Sequence, residues 1–110
     1  MTISPNEQRR RERKESGVPF YETGEGWHDM IDKMVHDLRL VDPTVEIKQI
    51  KEKFGLLRVY ISGNEDAYEI IDAYEKLSAT ICEKCGSTED VTTDGDGWIY
   101  TMCKECRNNG

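Results

Sequence analysis

From Trp27 onward the apolar positions fall into a helical rhythm: Trp27, Met30, Ile31, Met34, Val35 and Leu38 occupy i, i+3, i+4, i+7, i+8 and i+11, one stripe facing a core. This helix should stop before Asp42-Pro43, because proline disfavours helical geometry in the residue ahead of it. His28, Asp32 and His36 follow at steps of four on the opposite face. Eight helical residues separate the two imidazoles by about 12 Å, too far for one ion, so a solvated face with Asp–His pairing is the simpler reading than a metal or acid/base site. The period then changes to two. Val45 and Ile47 alternate with Glu46 and Lys48, and Leu57, Val59 and Ile61 lie opposite Leu56, Arg58 and Tyr60, which predicts an antiparallel hairpin with Gly55 in its turn. Ile50 has the wrong parity for the first strand, so that strand ends near Gln49 or a bulge resets its faces. Ser62 with Glu65, or Asn64 alone, caps a second helix. Its expected buried stripe is Ala67, Ile70, Ile71, Tyr74, Leu77 and Ile81, running straight into the first cysteine.

Residues 1–25 show no such periodicity and contain Arg9-Arg10-Arg11-Glu12-Arg13-Lys14, which reads as a mobile tail whose end Phe20 and Tyr21 pin to the body. With 110 residues, 36% hydrophobic and 34% charged, the chain supports one small core that needs help from another source. Four cysteines offer that help. No apolar run approaches the roughly 20 residues that span a bilayer, and no secretory signal opens the chain, so a cytoplasmic protein is expected. A reducing compartment makes the cysteines metal ligands before disulfides.

Cys82-Glu83-Lys84-Cys85 and Cys103-Lys104-Glu105-Cys106, with 17 residues between them, match a paired four-thiolate zinc pattern. The spacer reads as a hairpin: Val91-Thr92-Thr93, a turn at Asp94-Gly95-Asp96-Gly97, then Trp98-Ile99-Tyr100-Thr101, which makes the whole a zinc ribbon. Four thiolates close the coordination sphere, so Zn2+ is expected to be structural; iron in the same cage is the rival. The Asp-Gly-Asp-Gly turn departs from a calcium loop, having Thr92 at the first ligand position and Cys103 at the closing one. A redox dithiol would need a βαβ pattern, which the periodicity does not show. Phosphate loops, nucleophile elbows and zinc-protease motifs are all missing, so the expected protein is not an enzyme.

Charge narrows the class of partner. The formal net charge is -7, and residues 1–25 balance to zero, so the whole excess falls on the remainder. Trp98 or Tyr100 could stack a base, but Glu89, Asp90, Asp94 and Asp96 beside them would repel phosphates, which favours a protein partner. The outer hairpin face, with Lys48, Arg58 and Tyr60 beside Glu46, is a second candidate contact, although a solvated sheet face is the simpler reading of it.

Gly26-Trp27 opening a helix, the turn Lys51-Glu52-Lys53-Phe54-Gly55 followed by Leu57-Arg58 and Tyr60, and Cys82-Glu83-Lys84-Cys85-Gly86 after a helix resemble a family of small zinc-ribbon proteins from phages and prophages. The resemblance covers roughly residues 26–106, and the family pattern carries a second glycine where this chain has Leu56. No activity is assigned to that family. It implies a phage-encoded accessory protein in the bacterial cytoplasm. The expected architecture is α+β: a tail over 1–25, a helix–β-hairpin–helix body over 26–81, and a four-cysteine zinc ribbon over 82–107 packed on the body. The expected function is to bind and block a host protein, for example a defence nuclease such as a CRISPR effector, with acidic side chains in a groove built for nucleic acid. The alternatives are a nucleic-acid-binding regulator using Arg9 to Lys14 and the ribbon, and a catalyst using His28, Asp32 and His36.

Overall fold

The computed structural model describes residues 18–95 and 97–109, so the basic run Arg9 to Lys14 and Asp96 lie outside the described residues. The elements run β1 (Tyr21–Glu22), a 3-10 turn (Glu25–Trp27), α1 (His28–Val41), β2 (Glu46–Lys53), β3 (Leu56–Ser62), α2 (Glu65–Ser78), β4 (Val91–Asp94), β5 (Tyr100–Cys103) and α3 (Lys104–Asn109). The expected α+β mixture is present, with the four cysteines clustered near the C-terminus. Among the described residues no helix is long and apolar enough to cross a membrane.

The apolar stripe of α1 is buried as its periodicity dictates: Trp27, Ile31, Met34 and Leu38 are wholly enclosed, and the helix ends at Val41, one residue short of Asp42-Pro43. Trp27 itself closes the preceding 3-10 turn, and its indole Nε1 donates to the Ile81 carbonyl at 2.7 Å. The parity problem at Ile50 is solved by a bulge, since the β2–β3 register shifts between Ile47 and Gln49. That shift turns Ile50 inward, where it pairs with Val59 and is fully buried. Phe54 and Gly55 both have positive φ, 55° and 80°, as a two-residue hairpin turn between the Lys53–Leu56 pair requires.

Three expectations change. The tail cannot extend to residue 25, because Val18 and Tyr21 belong to the core and β1 pairs in parallel with β2, Tyr21 against Ile50 and Glu22 against Lys51. The chain therefore contains a short β1–α1–β2 unit that two residues of strand could not reveal by periodicity, and the hairpin is part of a three-stranded sheet ordered β1-β2-β3. His28 is buried rather than on a wet face: Tyr21 covers that side of α1, its ring meeting the imidazole edge-on at 5.3 Å and its hydroxyl donating to Asp32 at 2.8 Å, while His36 stays exposed. Leu77 is exposed, and Ser78 takes the inward position at the end of α2.

Ser78 has a role that its polarity explains. β3 is an edge strand, and α2 lies along it so that Leu57 N–H donates to Ser78 Oγ at 3.0 Å, Val59 N–H to Glu75 Oε2 at 3.1 Å, and the Tyr68 hydroxyl to the Ile61 carbonyl at 3.1 Å. Side chains of one helix thus satisfy the free edge of the sheet and block further pairing there. At the other end of α2, Asn64 is the cap, accepting from Ala67 N–H at 2.9 Å, and the Asp42 carboxylate holds that cap by accepting from Asn64 N–H.

Candidate metal centre and the surfaces around it

Cys82 and Cys85 sit in a tight turn whose carbonyl-to-amide closure runs from Cys82 O to Gly86 N–H at 2.8 Å, with Gly86 at φ 84°. The second pair is not a second knuckle, as a two-knuckle ribbon would require. Cys103 ends β5, Cys106 lies in the first turn of α3, and Cys106 N–H donates to Cys103 Sγ at 3.4 Å. The unit is therefore a knuckle, a β4–β5 hairpin and a short helix. The six-residue helix carries too little periodicity to announce itself in the sequence.

All four sulfurs lie within 4.8 Å of one another and could hold a metal ion. Cys85 Sγ and Cys103 Sγ are 3.7 Å apart, against the edge of about 3.8 Å that a tetrahedron with 2.3 Å metal–sulfur bonds requires. Cys82 and Cys103 are buried, Cys106 is half-buried and Cys85 is exposed. The thiols influence one another strongly. Burial opposes ionisation of Cys82, but backbone N–H groups of Cys103, Cys85 and Lys84 outweigh it and lower its pKa. Hydrogen bonding with Cys103, then with Cys85, then burial, raise that of Cys106. Neighbouring thiolates this close repel unless a cation lies between them, and a soft divalent ion supplies that charge.

The centre is fastened to the body at two places. Gly26 N–H donates to the Glu83 carbonyl and Gly24 N–H to Glu83 Oε2, at 2.8 and 2.9 Å. A Cβ on Gly26 would stand 2.2 Å from the Cys82 carbonyl oxygen and 2.6 Å from Gly86 N, so only glycine permits this approach. The second fastening is at the hairpin turn: Thr101 Oγ1 donates to the Gly55 carbonyl, and a Cβ on Gly55 would meet Ile99 Cγ2 at 3.0 Å. Within the unit, Arg107 reaches back from α3 to the carbonyls of Thr92, Asp94 and Tyr100 and pairs with the Asp94 carboxylate at 3.1 Å.

Of the four acidic residues expected to form one surface, Asp96 lies outside the described residues and the other three are spread along the β4 segment. Glu89 and Asp90 precede β4 and Asp94 ends it, about 13 Å further along at strand rise. Asp94 is engaged by Arg107, and Asp90, at φ 52°, accepts Lys104 N–H at its carbonyl. On the outer sheet face Lys48 and Tyr60 are exposed, whereas Arg58 points toward Glu75 at 3.7 Å. His28, Asp32 and His36 do not converge on a site.

The junction of the two hairpins is the more distinctive surface. Trp98 is 77% exposed and Phe54 66%, with Ile99 and Tyr100 also open to solvent. Phe54 adjoins Gly55, which packs on Ile99, so the two hairpins meet beside Phe54 and Ile99, whereas Tyr100 lies on the face of β5 opposite Thr101. Phe54 was legible only as part of a turn; its unusual positive φ with an exposed ring is a structural finding. An open cavity of about 510 Å³ is lined by Tyr100, Met102, Gly24, Glu25, Glu83 and Lys84. A second, of about 460 Å³, lies between the helices and the knuckle near Leu77, Ile81 and Cys85. Burial raises the pKa of Glu83, and the nearby Glu52 carboxylate adds to the effect against the hydrogen bond from Gly24.

Comparison with protein-family models, with curated proteins and with solved structures gave no match.

Proposed function

We propose that the chain is a non-catalytic, zinc-stabilised binding protein that grips a protein partner through the hairpin junction. The observation that carries this reading is that Phe54, Trp98 and Ile99 are exposed in the two chain segments that meet where Gly55 packs on Ile99. Exposed aromatic residues on a fixed backbone are what interface anchors require, because little conformational entropy is lost when they dock. Zinc is the proposed metal, since a set of four thiolates within 4.8 Å of one another suits a soft ion without an open coordination position. Its part is to hold the knuckle, hairpin and short helix in one arrangement.

In its finer form the reading takes the partner to be a host protein in the bacterial cytoplasm, a defence nuclease that this chain blocks. That step rests on the resemblance to phage zinc-ribbon proteins and on the net charge of -7, which complements a basic nucleic-acid groove. The test is affinity capture from bacterial lysate with the wild-type chain and with Trp98→Ala, both at full zinc content. One partner retained by the wild type and lost by the variant supports the reading, and equal retention overturns it. Anisotropy with labelled single-stranded and duplex DNA addresses the regulator alternative. Salt-sensitive DNA binding without any protein would favour that alternative, with about one unit of log–log slope per phosphate contact.

A further inference from the structure

The cavity beside Tyr100 has a composition that selects its occupant. Tyr100 and Met102, which share one face of β5, line it together with Gly24. Two carboxylates, Glu25 and Glu83, stand against one ammonium, Lys84. Glu83 is held in place, because its Oε2 accepts Gly24 N–H at 2.9 Å and its own carbonyl accepts Gly26 N–H. A half-enclosed carboxylate next to an aromatic ring and a thioether is poorly suited to phosphate or to an acidic side chain. It suits a long cationic side chain, whose methylene stem lies on Tyr100 and Met102 while its head reaches the carboxylates and the ring face. The metal centre adds to this field: four thiolates around a divalent ion carry a formal charge of about -2, with Glu83 and Lys84 in the intervening loop. Finally, Tyr100 lines the cavity and follows Ile99 of the junction directly in the chain, so the two surfaces adjoin along one strand.

We infer that this cavity is the specificity pocket of the partner-binding surface, taking one arginine or lysine side chain of the partner between Tyr100 and Met102 on one side and Glu25 and Glu83 on the other. The inference rests on the reading of the junction as a protein-binding surface. It changes where that surface's charge selectivity resides, from the dispersed Glu89, Asp90 and Asp94 to two carboxylates beside the knuckle. A partner segment carrying a basic residue next to apolar ones fits both parts at once.

The test uses the full zinc-loaded chain and two synthetic probes, acetyl-Leu-Arg-Leu-amide and the same peptide with citrulline, which keeps the shape of arginine and removes its charge. Titration followed by amide NMR should move resonances of Gly24, Glu25, Glu83, Lys84, Tyr100 and Met102 with the arginine peptide. The citrulline peptide should bind about tenfold more weakly, as expected when a charge-assisted hydrogen bond is lost. Glu25→Gln and Glu83→Gln should each weaken the arginine peptide and leave the citrulline peptide unchanged. Because Glu83 adjoins a metal ligand, zinc content is measured on each variant, and Glu25→Gln alone suffices if Glu83→Gln loses metal. Equal affinity for both peptides, or shifts centred on Leu77 and Ile81 in the second cavity, would overturn the inference. Failure of the two readings is distinguishable: Trp98→Ala abolishing partner capture while the arginine peptide never binds the cavity sinks only the pocket. Equal capture by wild type and Trp98→Ala sinks the junction reading itself.

Discussion

Gly26 shows how much can depend on one missing side chain. Its backbone lies so close to Cys82, Glu83 and Gly86 that Gly26→Ala must push the knuckle away from the body. Overpacking of this kind costs about 1–3 kcal/mol or more, and here it displaces ligand-bearing backbone, so metal affinity should fall along with stability. Competition with a chromophoric zinc chelator measures this; unchanged affinity would mean the knuckle does not need its seat. Trp27→Ala tests the same attachment from inside the core. It removes a fully buried ring and the hydrogen bond to Ile81, and urea denaturation should show a loss of about 3–5 kcal/mol. Asp42 provides a pH-dependent case. Hydrogen bonds from Asn64 N–H, then from the Thr44 hydroxyl, lower its pKa below the ordinary 3.8. A carboxylate with a depressed folded pKa stabilises the fold above its unfolded pKa, and that contribution is lost as pH falls through the folded value. Wild type should therefore exceed Asp42→Asn in stability at about pH 5, and the gap should narrow as the pH drops below 3.8. A gap that widens on acidification would contradict the cap network.

At the scale of elements, the decisive arrangement is α2 lying along the free edge of β3. Ser78→Ala would leave Leu57 N–H buried without its acceptor, and equilibrium unfolding should register a loss of about 1–3 kcal/mol. A neutral result would mean that water replaces the hydroxyl. This interaction was not legible in the sequence, where Leu77 was the apolar residue in phase with a stripe running on to Ile81. The α1 stripe and the β2–β3 hairpin were legible because many apolar residues repeat at one period. The bulge was legible as one of two solutions to the parity of Ile50. β1 was not, since two residues cannot establish a period and a parallel pairing depends on distant chain. For the same reason Val18 and Tyr21 were assigned to a tail. Tyr21→Ala should lower stability by about 3 kcal/mol, as loss of a buried ring does, and a change within experimental error would return residues 18–22 to the tail.

Considered as a whole, the molecule joins a small α+β core to a cysteine-bearing unit through contacts that, among the described residues, include Gly24 to Trp27 against the knuckle and Gly55 against β5. The cysteine spacing made legible the four thiols that the fold brings within 4.8 Å of one another, whereas the position of the second pair at a strand–helix boundary, the seat provided by Gly24 and Gly26, and the meeting of the two hairpins emerge only from long-range packing. Chelation should accordingly unravel residues 82–107 before the body, because the ligands knit that unit together while the Trp27 to Leu38 stripe and the β2–β3 sheet form a separate core. The central claim is that one closed four-thiolate zinc centre holds the partner-binding junction in shape. X-ray absorption on the purified chain, with metal stoichiometry from native mass spectrometry, tests this most directly. The account predicts one zinc per chain with four sulfur neighbours at about 2.3 Å. Iron in the cage, fewer than four sulfurs around the metal, or a fully folded chain carrying no metal would contradict it.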